Sequence, residues 1–147
     1  DRVLTAGVFD TILMDCPPSL GILMTASLAA ADGIVVPMQC EYFAMEGLSV
    51  IISLIEQLRG NGLNPALGLE GILMTMFDGR TRLAADVVAE VRSHFGDKVY
   101  ETVIPRNVRI SEAPSFGQPV VFYDPASKGA EAYRAFAAEF TRRIAGA

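Results

Sequence analysis

Gly71-Ile-Leu-Met-Thr-Met-Phe77 is a nearly unbroken apolar run of strand length, and Asp78-Gly-Arg-Thr-Arg82 follows it as a polar turn. Beyond the turn, Leu83, Val87, Val88, Val91 and Phe95 recur at helical spacing. A short run without in-out alternation suits a strand buried on both faces, since neither side is patterned for water. Strand, turn and covering helix in this order make up most of a parallel β-α-β unit.

The same alternation extends in both directions. Thr11–Met14 (TILM), Ile34–Met38 (IVVPM) and Val99–Ile104 (VYETVI) are the other predicted strands. Leu48, Ile51, Ile52, Ile55 and Leu58 make a second helical stripe, and Tyr133, Phe136, Ala137, Phe140 and Ile144 a third. Gly60-Asn61-Gly62 and Gly96-Asp97 supply the left-handed residues that end helices. The pattern predicts an α/β fold: a parallel sheet with helices on both faces and right-handed crossovers. With no internal repeat, low-complexity tract or linker, residues 1–147 read as a single α/β domain or most of one.

Composition agrees. The 147 residues are 51% hydrophobic and 20% charged, which excludes disorder, collagen and disulfide scaffolds. No apolar run approaches the roughly 20 residues of a membrane-spanning helix, so a soluble chain is expected. Cys16 and Cys40 form no close-spaced metal motif, which makes a reducing cytosol the default compartment. No secretory signal opens the chain, and its first residue is Asp1, which reads as part of a longer protein.

The net charge of −5 hides a gradient. Residues 1–79 carry two basic groups (Arg2, Arg59) against nine acidic ones, whereas residues 80–109 carry six basic against four acidic. A locally basic middle can attract a polyanion because screening at about 8 Å leaves the local patch in charge. Single arginines there serve equally well to solvate helix faces.

In an open parallel sheet, ligands bind beyond the carboxyl ends of the strands. That rule singles out four loops: Asp15–Gly21, Pro37–Gly47, Asp78–Arg82 and Pro105–Pro119. Asp15 ends the first predicted strand, and Pro17 and Pro18 stop it. A carboxylate so placed suits Mg²⁺, a hard ion that takes oxygen ligands, or it serves as a turn or cap residue. Pro105-Arg106-Asn107 offers a flat apolar edge and a stackable guanidinium, which suits a purine as well as a plain rigid turn. Glu41, Tyr42, Phe43 and Glu46 are predicted to open a helix, where its dipole favours the acids or a partner is met. His94 lacks a second ligand and reads as a surface residue. The methionines, among them Met14, Met24, Met38, Met74 and Met76, read as core filling. Ser19 has no histidine nearby and no nucleophile-elbow pattern, so a hydrolase triad has no support.

The string Asp15-Cys-Pro-Pro-Ser-Leu-Gly21 resembles the Walker B and switch segment of the ParA/Soj-type chromosome- and plasmid-partitioning ATPases, a deviant branch of the P-loop NTPases. The resemblance continues through Val36–Leu48, Leu73–Leu83 and Phe95–Tyr100, then through Val103–Ser115 and Tyr123–Glu131, in the family's order. It implies a three-layer α/β/α fold of the P-loop type, of which this chain is the C-terminal portion. The phosphate loop G-x-x-x-x-G-K-[ST] and the catalytic residues of that family lie N-terminal to the matching region, so the chain alone is expected to be inactive. By resemblance, Asp15 would hold Mg²⁺ through a water, and Pro17 to Gly21, with Pro17, Pro18 and Ser19 at the site, would move with the state of the γ-phosphate. Pro105, Arg106 and Asn107 would meet the adenine of ATP.

The resemblance also implies non-specific DNA as a partner, with Arg80, Arg82, Arg106 and Arg109 as the candidates that face it. An ATP-bound homodimer, a ParB-type partner that stimulates hydrolysis, and a cytoplasmic, nucleoid-associated location without membrane binding complete the expectation. Two other readings stand beside it. One is a MinD-like membrane-associated positioning ATPase, against which the short tail Phe140–Ala147 speaks. The other is a non-catalytic nucleic-acid- or partner-binding module.

Overall fold

The computed structural model describes residues 9–17 and 21–146. Three strands, β1 (Gly33–Gln39), β2 (Gly68–Phe77) and β3 (Val99–Pro105), lie side by side in that order and run parallel. Helix α1 (Ile22–Ala30) precedes β1, α2 (Ala44–Gly60) joins β1 to β2, and α3 (Arg82–Phe95) joins β2 to β3. After β3 come the short α4 (Val108–Glu112), a tight turn Ala113–Phe116, the short α5 (Val120–Tyr123) and the long α6 (Lys128–Ala145).

The apolar run of β2 explains the layering. Ile72 and Met74 face one side, where Leu48 of α2 and Val87, Val88 and Val91 of α3 cover them. Leu73 faces the other side with Tyr100 and Ile104, under Tyr133, Phe136 and Phe140 of α6. Both faces of the strand are covered, so a continuous apolar sequence costs nothing in exposed surface. Two successive crossovers of one hand place α2 and α3 on the same face. The three-layer α/β/α arrangement is the one expected. Met24 and Leu28 of α1 pack on Ile55, Leu58 and Leu67, and Asn64 donates from Nδ2 to the carbonyls of Leu28 (2.8 Å) and Ala31 (2.7 Å), closing the end of α1.

Two devices tie α6 to the sheet. At Gly71 a Cβ would stand 2.9 Å from Cζ of Tyr100, so only glycine lets that ring lie flat across β2. On β3, the two-residue step from Ile72 to Met74 faces a four-residue step from Val99 to Val103, a bulge that lifts backbone out of the ladder. The freed N–H groups of Glu101 and Thr102 donate to the carboxylate of Glu139 at 2.8 and 2.9 Å. Arg143 closes the node, donating to Glu139 at 2.7 Å and lying 4.2 Å over the Tyr100 ring. Burial opposes the charged form of Glu139. The N–H donors of Thr102 and Glu101 and the Arg143 guanidinium outweigh it and hold the carboxyl below its usual 4.5.

Several expectations are corrected. Thr11–Met14 is not a buried strand: its residues are exposed, Leu13 to 78%, and the segment has no ladder partner among the described residues, because β1 pairs only with β2. Without a hydrogen-bonded neighbour, an apolar run has nothing to hold it in a sheet. Met14 is therefore exposed, whereas Met24, Met38 and Met74 are core residues as expected. On α6 the third stripe is interrupted, with Ala137 exposed and Glu139 buried. Leu83 on α3 is half exposed, and Ala84 is buried in its place. The stretch Pro105–Pro119, read as loop, contains α4, because Asn107 caps it by accepting from the N–H of Arg109 at 2.9 Å. No helix among the described residues is long and apolar enough to cross a membrane.

Candidate functional site

The carboxyl ends of β1, β2 and β3 form one rim. Cys40 donates its N–H to the Thr75 carbonyl at 3.0 Å, and the Thr75 hydroxyl donates to the Met38 carbonyl at 3.1 Å, binding β1 to β2 around the end of β1. Arg106 donates its N–H to the Phe77 carbonyl at 2.8 Å, which carries the β2–β3 contact one residue past β3. Met76 sits between these links with φ +55°, a left-handed backbone that costs a side-chain-bearing residue about 1 kcal/mol. It lies where the register of β2 against β3 shifts, between Met74 and Phe77, two residues before Asp78.

Asp78 organises the following loop. Its Oδ1 accepts the Arg80 N–H at 3.1 Å, and its carboxylate takes the Arg80 guanidinium at 2.8 and 2.6 Å. Those hydrogen bonds from Arg80, with the charge of Arg106 nearby, hold the Asp78 carboxyl well below the usual carboxylate range. Thr81 then caps α3, its hydroxyl accepting from the Ala84 N–H at 3.4 Å. Across the rim, Arg106 lies 3.8 Å from Glu41 of the β1 loop. Glu41, Tyr42 and Phe43 precede α2 and do not open it, and the two aromatic rings meet edge to face at 5.1 Å while exposed.

The candidate arginines differ in what they have free. Arg82 is 91% exposed, with Asp86 at 3.7 Å as a loose partner. Arg80 is exposed but doubly bonded to Asp78. Arg106 and Arg82 leave from neighbouring strand-end loops. Arg109 stands apart on α4, paired with Glu112 at 2.9 Å and Asp124 at 3.2 Å. Base-edge contacts have no recognition helix here, whereas phosphate contacts need only accessible cations.

Asp15 and Pro17 lie exposed in the segment before α1, and among the described residues no hydrogen bond or ion pair joins Asp15 to the rim. Pro18 and Ser19 lie outside the described residues. Mg²⁺ takes one or two carboxylates and completes its shell with water and phosphate oxygens, so the exposed Asp15 is a suitable single donor. Among the described residues no group of three or more His, Cys, Asp or Glu side chains could hold a metal alone. Pro105 and the Arg106 guanidinium are available to a purine. The Arg106 N–H is committed to Phe77, and Asn107 Oδ1 to the cap of α4. For the phosphates these residues do not suffice, since no glycine-rich loop with its lysine occurs in the 147 residues. The donor set thus suits the ion and the base but leaves the triphosphate unheld.

Two features elsewhere are not part of the rim. Cys40 is buried, which pushes its thiol up and leaves it a poor nucleophile. A recess of about 620 Å³ lies at the amino-terminal end of β3, lined by Arg92, Lys98, Glu101 and Arg143. Arg92 is spent on the Glu101 carbonyl there, and Arg143 on the carbonyls of Asp97 and Val99.

A family model described as "AAA domain" matches residues 3–69. The chain is 52% identical over 138 residues to the chromosome partitioning protein ParA of Myxococcus xanthus, covering 94% of this chain and 48% of that protein. It is 54% identical over 136 residues to the chromosome-partitioning ATPase Soj of Thermus thermophilus, covering 92% and 54%. Among solved structures it resembles cobyrinic acid a,c-diamide synthase from Mycobacterium smegmatis with a bound ATP analog and magnesium. The TM-score is 0.73 at 35% identity, over 97% of this chain and 52% of that one. The chain spans about half the length of the relatives it matches.

Proposed function

This chain belongs with the ParA/Soj chromosome-partitioning proteins over that shared half, and from this premise we propose that it is part of a ParA-type ATPase of DNA segregation. The protein would dimerise on binding ATP, hold DNA without sequence preference, and let go when a ParB-type partner stimulates hydrolysis. It would work in the cytoplasm, on the nucleoid. The observation that carries the reading is the shared identity of about half the residues with ParA and Soj over more than nine-tenths of this chain.

In this reading Asp15 holds Mg²⁺ through a water, and Pro17, Pro18 and Ser19 form the segment that responds to the γ-phosphate. Bound magnesium triphosphate would supply the phosphoanhydride that is cleaved. Pro105 gives the adenine a flat edge and the Arg106 guanidinium covers it, while Asn107 keeps the loop in place through the α4 cap. Arg80, Arg82 and Arg106 leave the segments that follow β2 and β3 as exposed cations, and Arg82 has the least to give up on meeting a phosphate. The fragment by itself is not expected to hydrolyse ATP.

The test uses the full-length protein. Calorimetric titration with magnesium ATP should show weakened binding and lost turnover after Asp15→Ala. Binding of random-sequence duplex DNA, followed by fluorescence anisotropy against salt, should weaken alike for all sequences after Arg82→Glu. The log-log salt slope should fall by ~0.9 for each DNA phosphate the protein no longer neutralises. Unchanged nucleotide uptake and turnover in Asp15→Ala would refute the nucleotide assignment. Normal DNA binding by Arg82→Glu would remove that residue from the surface.

A further inference from the structure

Arg109 is the most heavily committed of the four candidate cations. Its Nη1 donates to Glu112 at 2.9 Å, and its Nε lies 3.2 Å from Asp124. The two acids come from different places: Glu112 ends α4, and Asp124 follows α5. Each is anchored independently of the arginine. The Tyr123 hydroxyl reaches Glu112 at 3.4 Å, and the Asp124 carbonyl accepts from both the N–H (3.1 Å) and the hydroxyl (2.8 Å) of Ser127, the cap of α6. Phe116 stacks on Tyr123 at 4.9 Å and braces the same corner. The group of three carries one positive and two negative charges, yet the Arg109 side chain remains 52% exposed. A cation held this way is visible to a polyanion but already neutralised.

We propose that Glu112 and Asp124 form an acid clamp on Arg109 that restrains its contact with DNA phosphate and so sets how tightly the protein holds DNA. This rests on the DNA-binding reading above. Nη1 and Nε of Arg109 face the two carboxylates, so among the described residues only Nη2 is left to a phosphate, and a bidentate grip on the guanidinium must displace one of the acids. Clamped, Arg109 adds little to the salt-dependent part of binding. Released, it becomes one more phosphate contact. Arg82, whose one acidic partner among the described residues is a loose one at 3.7 Å, needs no such release. The two arginines thus differ in availability although both are exposed.

The experiment measures binding of the full-length protein to a random-sequence DNA duplex by fluorescence anisotropy over a series of salt concentrations. Glu112→Gln with Asp124→Asn removes both negative charges and keeps the shapes. The expected result is affinity raised about fivefold, the product of two half-exposed pairs of modest strength, with a salt slope steeper by ~0.9. Adding Arg109→Gln to the double variant should cancel both changes. A double variant with the parent's affinity and slope overturns the clamp. So does a gain that survives Arg109→Gln, because it would come from removing negative charge in general. If the double variant fails to fold, Glu112→Gln alone decides, with a gain of about twofold that Arg109→Gln abolishes. A parent that binds no duplex even at low salt overturns the DNA-binding reading. If the double variant then binds through Arg109, the clamp still stands, and if it does not, both fall.

Discussion

Removing the carboxylate of Glu139 should loosen the strand that carries the rim, and the size of the effect follows from its partners. Glu139→Ala strands two backbone donors of β3, those of Glu101 and Thr102, which the bulge keeps out of the ladder. A buried donor without a partner costs about 1–3 kcal/mol, and the lower half of that range applies because Glu101 lies near solvent. Arg143 loses one partner but keeps the carbonyls of Asp97 and Val99. The expected loss is about 3 kcal/mol, at the low edge of what breaking a buried ion pair costs. Glu139→Gln keeps the volume and one acceptor, so about half that loss is expected.

The pH dependence gives a second reading of the same group. Its folded pKa lies below the ordinary 4.5, so its stabilisation is complete above 4.5 and fades as pH falls through the folded value. Urea unfolding followed by circular dichroism, at neutral pH and again below 4.5, reports both quantities. Glu139→Ala within about 1 kcal/mol of the parent at neutral pH would refute the role of the bulge. An acid decline in Glu139→Gln as steep as the parent's would refute the assignment of that decline to this carboxylate.

Gly71→Ala should cost about 2 kcal/mol in the same assay, because its methyl would press on the buried Tyr100 ring. Tyr100→Phe should leave stability unchanged or raise it by up to about 1 kcal/mol, since the buried hydroxyl has no hydrogen-bond partner among the described residues; a clear loss would reveal one. Thr81→Ala removes the cap of α3 and should lower the melting stability by about 1 kcal/mol, with Thr81→Ser restoring most of it. Thiol titration with a disulfide reagent should modify Cys16 well before Cys40, which is buried and raised in pKa; equal rates would contradict that burial.

Periodicity and run length suffice for the sheet and its covering helices, because β2 and α3 obey strict local rules. A strand covered on both faces must be apolar throughout, and a surface helix must carry a stripe. Thr11–Met14 obeys the same rule and is not a strand, since pairing depends on a neighbour that no local pattern reports. Helix α1 has only Met24 and Leu28 as buried residues, too few to stand out as a stripe.

At the rim, the loops are legible from the strand ends, and Asp78 from the turn it opens. The partners of the arginines are not. Arg109 meets Asp124 through a chain reversal of fifteen residues, and Arg106 meets Glu41 across two strands. Glu139 escapes a reading by pattern because a carboxylate amid Phe136 and Phe140 looks like an exposed position of the helix. Its burial answers the β3 bulge, which leaves no mark in the composition of α6. One signal is there to find: Arg143 four residues on, the spacing of an intrahelical ion pair.

The first turn of α6 rests against the loop that follows β3 through Gly129, where a Cβ would come within 2.6 Å of Ile110 Cγ1 and 3.3 Å of Asn107 Cγ. The outline of that loop is therefore set by an atom that is missing. Even the smallest side chain at position 129 would wedge the long helix away from Asn107. The disturbance would travel along the chain to Pro105 and Arg106. A variant here would present as a displaced strand-end loop while its cause lay in the seating of a helix.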